Sequence, residues 1–105
     1  MNQKNFPLLA ERALNRLFQQ AEAGLKADID LKDGVLTIIL DSGATYLLNR
    51  HLPNQQIWLS SPQSGASHYA FDEASQDWIS TRADKISLVD RLNAELTPSP
   101  PFSKV

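Results

Sequence analysis

The fold of this chain is indicated by one stretch near its middle, Asn49-Arg50-His51-Leu52-Pro53-Asn54-Gln55-Gln56-Ile57-Trp58-Leu59-Ser60-Ser61-Pro62. Side chains along a β-strand alternate between the two faces of a sheet. Ile57 and Leu59 therefore share one face, and Trp58 lies among polar neighbours on the other. A tryptophan is costly to leave in water, so the pattern predicts either a docking surface around Trp58 or a loop or strand that covers it.

Two amphipathic helices are predicted near the ends of the chain. The first runs from Phe6 to about Ala23, with Pro7 in its first turn and Gly24 as a C-terminal cap. The second runs from about Asp84 to Leu96, and Asp84 is the candidate N-cap. The prolines that follow prevent this helix from continuing, which leaves a Pro-rich tail at residues 97–105.

Between the helices the apolar residues alternate with polar ones, as they do in half-buried strands. The predicted elements are a strand at 27–32, a tight turn at Asp33-Gly34, a strand at 35–40, a turn at 41–43, a strand ending near Arg50, the Trp58 strand, a loop at 62–67, and strands at 68–72 and 77–80. Because the helices are segregated from the strands, the order predicts an α+β sandwich of about six antiparallel strands, with both helices on one sheet face.

Composition narrows the possible functions. The 105 residues form one predicted domain, and the formal net charge of −2 provides no basic stripe for nucleic acid. The absence of cysteine excludes disulfides, thiolate catalysis and cysteine-ligated clusters. No apolar run is long enough to span a membrane and no targeting segment is recognisable, so we expect a cytoplasmic protein. The lack of an extended acidic tail or a coiled-coil pattern predicts a monomer.

Acidic side chains are the candidate metal ligands. Oxygen ligands on a solvated ridge suit hard cations that are loosely held, including ferrous or ferric iron. The candidates are Glu11 and Glu22 on the first helix, Asp28 and Asp30 on one side of the first strand, and Asp33 at its end. The alternative is a solvated edge that charge protects from aggregation, since Lys26 and Lys32 cancel part of the negative field.

The two histidines are too isolated to form an obvious metal triad. His51 precedes Pro53 and is interpreted as a solvated loop histidine. His68 falls on the outward side of its strand, near Trp58, where an imidazole could help to hold a metal or a partner carboxylate. The serines lack a base and an orienting group at recognisable spacing, so the sequence carries no enzyme signature.

Several of these motifs resemble the frataxins, and more closely the bacterial CyaY-type members. The resemblance is carried by Asn49 through Ser61, with Pro53, Gln56, Trp58 and Leu59, and then by Ser64-Gly65 and Tyr69. Asp28-Ile29-Asp30 with Gly34 to Ile38 is similar to the first hairpin of the family. Asp77-Trp78-Ile79 and Ile86 to Leu96 are similar to its last strand and second helix.

The resemblance implies an α-β-α sandwich and a small iron-binding protein. It also implies docking onto the cysteine desulfurase and the iron–sulfur scaffold protein, where the chain modulates cluster assembly as an iron donor or sensor. The residues implied as the iron-binding ridge are Glu22, Asp28, Asp30, Asp33 and Glu11. Those implied as the docking face are Asn49, Gln56, Trp58 and His68. The implied location is the bacterial cytoplasm.

The chain departs from the family at the end of its first helix. Frataxins usually carry several acids there, whereas this chain reads Gln19-Gln20-Ala21-Glu22. Fewer carboxylates predict weaker or fewer iron sites. Two alternatives stay open: a metal-independent protein-binding module on the same fold, and a ferroxidase. The resemblance also predicts that Phe102 of the tail folds back against the helices.

Overall fold

The computed structural model describes residues 5–96 and Phe102. Two helices flank six strands in the predicted order, and the α-β-α sandwich expected from the sequence is confirmed. The elements are α1 (Phe6–Gly24), β1 (Ala27–Lys32), β2 (Val35–Leu40), β3 (Thr45–His51), β4 (Gln56–Ser61), β5 (Gly65–Asp72), β6 (Asp77–Ser80) and α2 (Leu88–Glu95).

The six strands form one antiparallel sheet in which each strand pairs with its neighbour along the chain, from β1 to β6. Its inner face packs on the helices. The side chains of Leu36, Ile38, Leu48 and Ile57 on that face are fully buried. They belong to one core cluster with the apolar side chains of α1 and α2 that face the sheet. Strand alternation directs the remaining side chains to the other face, here called the outer face, and neither α1 nor α2 packs on it. This is the face on which the sequence places Trp58.

Trp78 of β6 anchors the edge of the core under the start of α1. Its side chain is only 1% exposed, and Phe6 and Phe71 meet it edge to face, with ring centroids 6.0 Å and 5.4 Å away. Such T-shaped aromatic contacts are favourable beyond the area that they bury. They attach the first turn of α1 to the last strand of the sheet.

The predicted ends of both helices need correction. Pro7 lies in the first turn of α1 as expected, but Gly24 is the last helical residue and does not adopt a positive φ. The cap is Leu25, which is extended and donates its N–H to Ala21. In α2 the predicted start at Asp84 is wrong, because Ser87 is the N-cap and accepts a hydrogen bond from the Asp90 N–H.

The predicted loop at 62–67 is also shorter than expected, since β5 already begins at Gly65. Gly65 takes a φ of 79°, and this left-handed conformation lets the chain reverse within three residues. The tight turn predicted at Asp33-Gly34 is confirmed. Both residues have positive φ, 53° and 77°, as the preferred two-residue hairpin turn requires.

Phe102 packs into the core, as the sequence predicted. Its side chain is 6% exposed and belongs to the cluster of buried residues between the helices and the sheet. Asn93 of α2 holds its backbone twice: Nδ2 donates to the Phe102 carbonyl at 2.9 Å, and Oδ1 accepts from the Phe102 N–H at 3.2 Å. The rest of the tail predicted at residues 97–105 lies outside the described residues.

A hydrogen-bond network joins the end of α2 to the sheet. The Glu95 carboxylate accepts from Tyr46 Oη at 3.0 Å, from Ser64 Oγ at 2.7 Å and from Ser61 Oγ. Burial of the Tyr46 hydroxyl, reinforced by its hydrogen bond to Glu95 and by the charge of that carboxylate, raises the pKa of Tyr46 to about 12. The folded protein therefore holds the phenol proton more tightly than the unfolded chain does.

This shift predicts a loss of stability in strong base. Because the pKa of Tyr46 rises from its ordinary value of 10.0 to about 12 on folding, its contribution is complete below pH 10.0 and falls as the pH approaches 12. The loss is on the order of 2 kcal/mol. Urea unfolding of wild type and Tyr46→Phe across this range should give stability curves that converge or cross as the pH rises. Parallel curves would show that the hydroxyl titrates alike in both states.

Candidate functional site

The outer face brings several polar and aromatic side chains into one row. Register places Asn49 beside Trp58 and Trp58 beside His68, on the neighbouring strands β3, β4 and β5. Gln56 and His51 are paired in the next row. We call these five residues, Asn49, His51, Gln56, Trp58 and His68, the Trp58 face. It brings together all four side chains that the family resemblance implies as the docking face.

The indole ring of Trp58 is stacked between two imidazoles. Its ring centroid lies 3.7 Å from that of His51 with an interplanar angle of 7°, and 4.2 Å from that of His68 at 17°. Its indole N–H donates to Gln56 Oε1 at 2.7 Å. Trp58 is therefore half-buried by side chains of the neighbouring strands, and its role in docking stays a prediction.

His51 corrects the sequence interpretation. It was expected in a solvated loop, but it is the last residue of β3, half-buried, and it is stacked on Trp58. Its Nδ1 accepts the backbone N–H of Asn54 at 3.3 Å, which ties the ring to the β3–β4 turn. Strand alternation from Asn49 could have placed His51 on the outer face, but the nearby Pro53 suggested that the strand had already ended.

Exposed apolar side chains enlarge this surface. Ile39 and Leu47 lie on the outer face of β2 and β3 and are 39% and 37% exposed, and Leu52 in the β3–β4 turn is 51% exposed. Thr37 and Ser60 flank Leu47 on the adjacent strands. An apolar patch with a polar border is typical of surfaces that bind proteins. Ile39 and Leu47 were not among the predicted site residues, although the same strand alternation places them on this face.

The acidic candidates lie along the β1 edge of the sandwich. Asp28 and Asp30 are exposed and point to the outer face, since Ile29 and Leu31 pack on the core. Lys32 follows on the same side as the two aspartates. These carboxylates thus border the same open face as Trp58, and strands β2 and β3 lie between them and Trp58.

The other three candidates are two glutamates far apart on α1 and one aspartate in the β1–β2 turn. Glu11 and Asp33 line a cleft of about 330 Å³ between α1 and the β1–β2 turn, whereas Glu22 is exposed near the far end of the helix. Eleven residues of helix separate Glu11 from Glu22 by roughly 16 Å. One ion cannot contact both residues, so the ridge contains separate carboxylates.

Arg50 shares the cleft with Glu11 and Asp33, a neighbour that the sequence analysis missed. Its guanidinium lies over Gly34, where an added Cβ would approach Arg50 Nε to 3.1 Å. The guanidinium of Arg50 therefore occupies space that a side chain at position 34 would fill. The positive charge of Arg50 opposes cation binding at this end of the ridge.

Carboxylate oxygens suit a hard cation, but they are not gathered into a cage here. Across residues 5–96 and Phe102, no three His, Asp or Glu side chains are placed to hold one metal ion together. An ion at this edge would be held by one or two carboxylates and by water. Such an arrangement permits weak, exchangeable binding of metal cargo.

The architecture defines a class: an α-β-α sandwich with one sheet face open and an acidic edge beside it. Comparison with known families identifies the family to which this sandwich belongs. The family model described as "Frataxin-like domain" matches residues 1–99. The chain belongs to the frataxin-like domain family.

Individual relatives agree with this assignment. The chain is 41% identical over 87 residues to the mitochondrial frataxin homolog of Schizosaccharomyces pombe, covering 80% of this chain and 54% of that protein. It is 38% identical over 96 residues to the iron-sulfur cluster assembly protein CyaY of Thioalkalivibrio sulfidiphilus, covering 89% and 88%. The chain thus spans about half the length of the mitochondrial relative and most of the bacterial one.

A solved structure shares the fold. Trimeric frataxin from Saccharomyces cerevisiae, in a crystal structure complexed with ferrous iron, superimposes with a TM-score of 0.66 at 30% identity, covering 90% of this chain and 84% of that one. For the present chain, neither helix in the described part is both long enough and apolar enough to cross a membrane.

Proposed function

We propose that this protein docks on the cysteine desulfurase and scaffold complex and modulates iron–sulfur cluster assembly while binding iron weakly at its acidic edge. The observation that carries the proposal is the Trp58 face itself. Asn49, Trp58 and His68 form one row on the sheet face opposite α1 and α2, in a member of the frataxin-like family.

The docking part is supported by the chemistry of this surface. Tryptophan is enriched among the residues that contribute most to protein interfaces, and the exposed Ile39 and Leu47 add apolar area next to it. Asp28 and Asp30 border the same face, so a partner that covers Trp58 can also place basic groups on the β1 edge. The name of the bacterial relative supports cluster assembly as the process.

The iron part is supported by the carboxylates of the same edge and by the ferrous complex of the yeast relative. We propose Asp28, Asp30 and Glu22 as the principal ligands, with Asp33 and Glu11 contributing more weakly because Arg50 shares their cleft. Iron here is cargo or signal, held by a few oxygen atoms and exchanged readily.

An anaerobic titration with ferrous iron, followed residue by residue through amide NMR signals, tests the iron part. Paramagnetic broadening that saturates and is confined to Glu22, Asp28, Asp30 and their neighbours is the expected result. Zinc, a diamagnetic ion of the same charge, serves as the control for general salt effects. Uniform broadening, or none at millimolar iron, would contradict a ridge site.

Charge reversal should weaken the contact with a basic partner. Asp30→Lys replaces an attraction by a repulsion at the exposed edge, and we expect desulfurase affinity to fall roughly tenfold at low salt and less at high salt. Glu73→Lys, on the turn at the opposite sheet edge, makes the same charge change and is the matched control. Equal losses in both variants would assign the effect to net charge alone.

Removing Arg50 should strengthen iron binding at one end of the ridge. Arg50→Gln takes a positive charge out of the cleft that holds Glu11 and Asp33, and we expect the ferrous affinity there to rise roughly threefold. The control, Lys85→Gln, removes the same charge beyond the opposite edge of the sheet. NMR broadening at Glu11 and Asp33 reports the change, and unchanged affinity would remove these two residues from the ligand set.

A metal-independent docking module is the second candidate. It is favoured by one observation, the lack of any three-ligand cluster among residues 5–96 and Phe102. It predicts full modulation of the desulfurase by protein kept in chelator. Oxidation of ferrous iron above the buffer rate would instead support a ferroxidase, the third possibility.

The same proposal includes a monomer in the bacterial cytoplasm. The bacterial relative, matched over 88% of its length, supports the bacterial setting. The yeast relative is trimeric in its crystal structure, so light scattering with and without ferrous iron is the relevant measurement. A single species of monomer mass under both conditions is the expected result.

A further inference from the structure

The stacked rings of the Trp58 face offer a specific chemistry at its centre. His51 from β3 and His68 from β5 cover the two sides of the indole of Trp58, with centroid distances of 3.7 Å and 4.2 Å. A partner can therefore reach the indole at its edge or after displacing an imidazole. A partner therefore meets the two histidines before the indole face, and stacking on Trp58 sets the position of both imidazoles.

The hydrogen bonds of these rings leave donors free. The Trp58 N–H is taken by Gln56 Oε1, and His51 Nδ1 accepts the Asn54 N–H, which places the proton of a neutral His51 on Nε2. Within residues 5–96 and Phe102, neither the Nε2–H of His51 nor either nitrogen of His68 has a hydrogen-bond partner. A ligand with acceptor oxygens can satisfy both rings.

The charged groups around the outer face include both acids and cations. Neither imidazole forms an ion pair in the described part of the chain. Strands β2 and β4 carry no charged residue, and Arg50 of β3 points to the helix side. The other charged groups on or beside the outer face are acids at Asp28 and Asp30 on β1, acids at Asp72 and Asp77 near the β5–β6 turn, and cations at Lys32, Arg82 and Lys85.

The nearer acids are already engaged. Asp72 Oδ2 accepts the N–H and Oγ–H of Ser75 at 3.1 Å and 2.6 Å, and Asp77 Oδ1 accepts the Trp78 N–H at 2.9 Å. Arg82 is bonded to the carbonyl of Ala66 beside β5. No acidic group of the described chain forms an ion pair with His51 or His68.

We infer that His51 and His68 form a carboxylate-binding pair on the Trp58 face, and that an acidic side chain of the partner protein binds there more tightly as the histidines take up protons. The inference rests on the proposed docking function and adds a partner chemistry and a pH dependence to it. Protonation gives each ring a second N–H and a positive charge, and hydrogen bonds between charged groups are the stronger kind. An imidazolium is also attracted to the indole face.

Proton uptake by His51 has a structural marker. A doubly protonated ring cannot accept at Nδ1, so its hydrogen bond from Asn54 must break and the β3–β4 turn must respond. In the isolated protein, the NMR signals of the Asn54 amide and the Trp58 indole N–H should shift together with the histidine titrations. In His51→Gln/His68→Gln these shifts should disappear. Signals that ignore pH in wild type would overturn the inference.

Binding to the desulfurase–scaffold complex tests the carboxylate itself. Affinity is measured at about pH 8 and about pH 6 for wild type, His51→Gln/His68→Gln, and His51→Phe/His68→Phe, which keeps stacked rings without a titrating nitrogen. The partner's own titration affects all three proteins alike. We expect the ratio of variant to wild-type Kd to grow about tenfold on acidification for both variants.

The outcomes separate the inference from the function on which it rests. Wild-type binding with a Kd ratio that does not change with pH would overturn the carboxylate-binding pair and leave docking intact. A loss of pH dependence in the Gln variant but not in the Phe variant would also overturn it, because the stack alone would then be responsible. Absence of wild-type binding at both pH values would refute the docking function, and the inference with it.

Discussion

Replacing Trp58 by alanine is expected to weaken docking on the desulfurase–scaffold complex by about thirtyfold or more. A central tryptophan in an interface commonly contributes about 2 kcal/mol or more when truncated. Alanine removes the indole, the ring on which His51 and His68 stack, and the N–H bound to Gln56. The two imidazoles then lose the support that sets their position. Isothermal titration calorimetry with the purified complex measures the effect.

Controls distinguish docking from folding for this variant. Trp58 lies on the open face, so its removal should leave the core and the circular dichroism spectrum unchanged, with a stability loss of about 1–2 kcal/mol. The control Leu8→Ala removes an exposed apolar side chain on α1, on the other side of the sheet from the Trp58 face. Affinity that is equal in wild type and Trp58→Ala would exclude Trp58 from the interface.

Replacing Phe102 by alanine should destabilise the fold by about 3 kcal/mol. The ring is 6% exposed and packs in the core cluster, so truncation leaves a cavity as well as lost burial. For a domain of this size the melting temperature should fall by roughly 12–20 °C. Thermal and urea unfolding report the change. A melting temperature like that of wild type would mean that the ring does not pack on the helices in solution.

Two further variants divide this effect into its parts. Asn93→Ala keeps the ring but removes both hydrogen bonds to the Phe102 backbone, and we expect a loss of about 1–2 kcal/mol. Leu8→Ala removes a side chain that is 55% exposed on α1 and should cost well under 1 kcal/mol. Equal losses of stability for Leu8→Ala and Phe102→Ala would indicate that the loss for Phe102→Ala does not come from burial of its ring.

The architecture could be predicted because local patterns agree with the final packing. The alternation around Ile57 and Leu59 assigned both sheet faces, and the turn at Asp33-Gly34 set the first hairpin. The start of α2 could not be predicted in this way, because Asp84 and Ser87 are both good caps. Asp84 instead pairs with Arg91 at 2.8 Å, and Ser87 bridges to Ile79 before the helix begins.

The positions of candidate site residues could be predicted where strand alternation alone determines them. They could not be predicted where they depend on how far a strand or a long side chain extends. Trp58 and His68 lie on the outer face by parity, and register makes them neighbours. Stacking by His51 depends on how far β3 extends toward Pro53, which the sequence leaves open. The position of Arg50 over Gly34 depends on a long side chain reaching another strand, and no periodic pattern encodes such a reach.

The sheet order, in which strands follow one another as they do along the chain, bears on the kinetics of folding. Each hairpin can form between neighbours in sequence, and such short loop closures are fast. The core, by contrast, closes when α1 and α2 arrive from opposite ends of the chain. We expect the hairpins that carry Trp58 to be organised early, and detachment of a terminal helix to be the first event in unfolding.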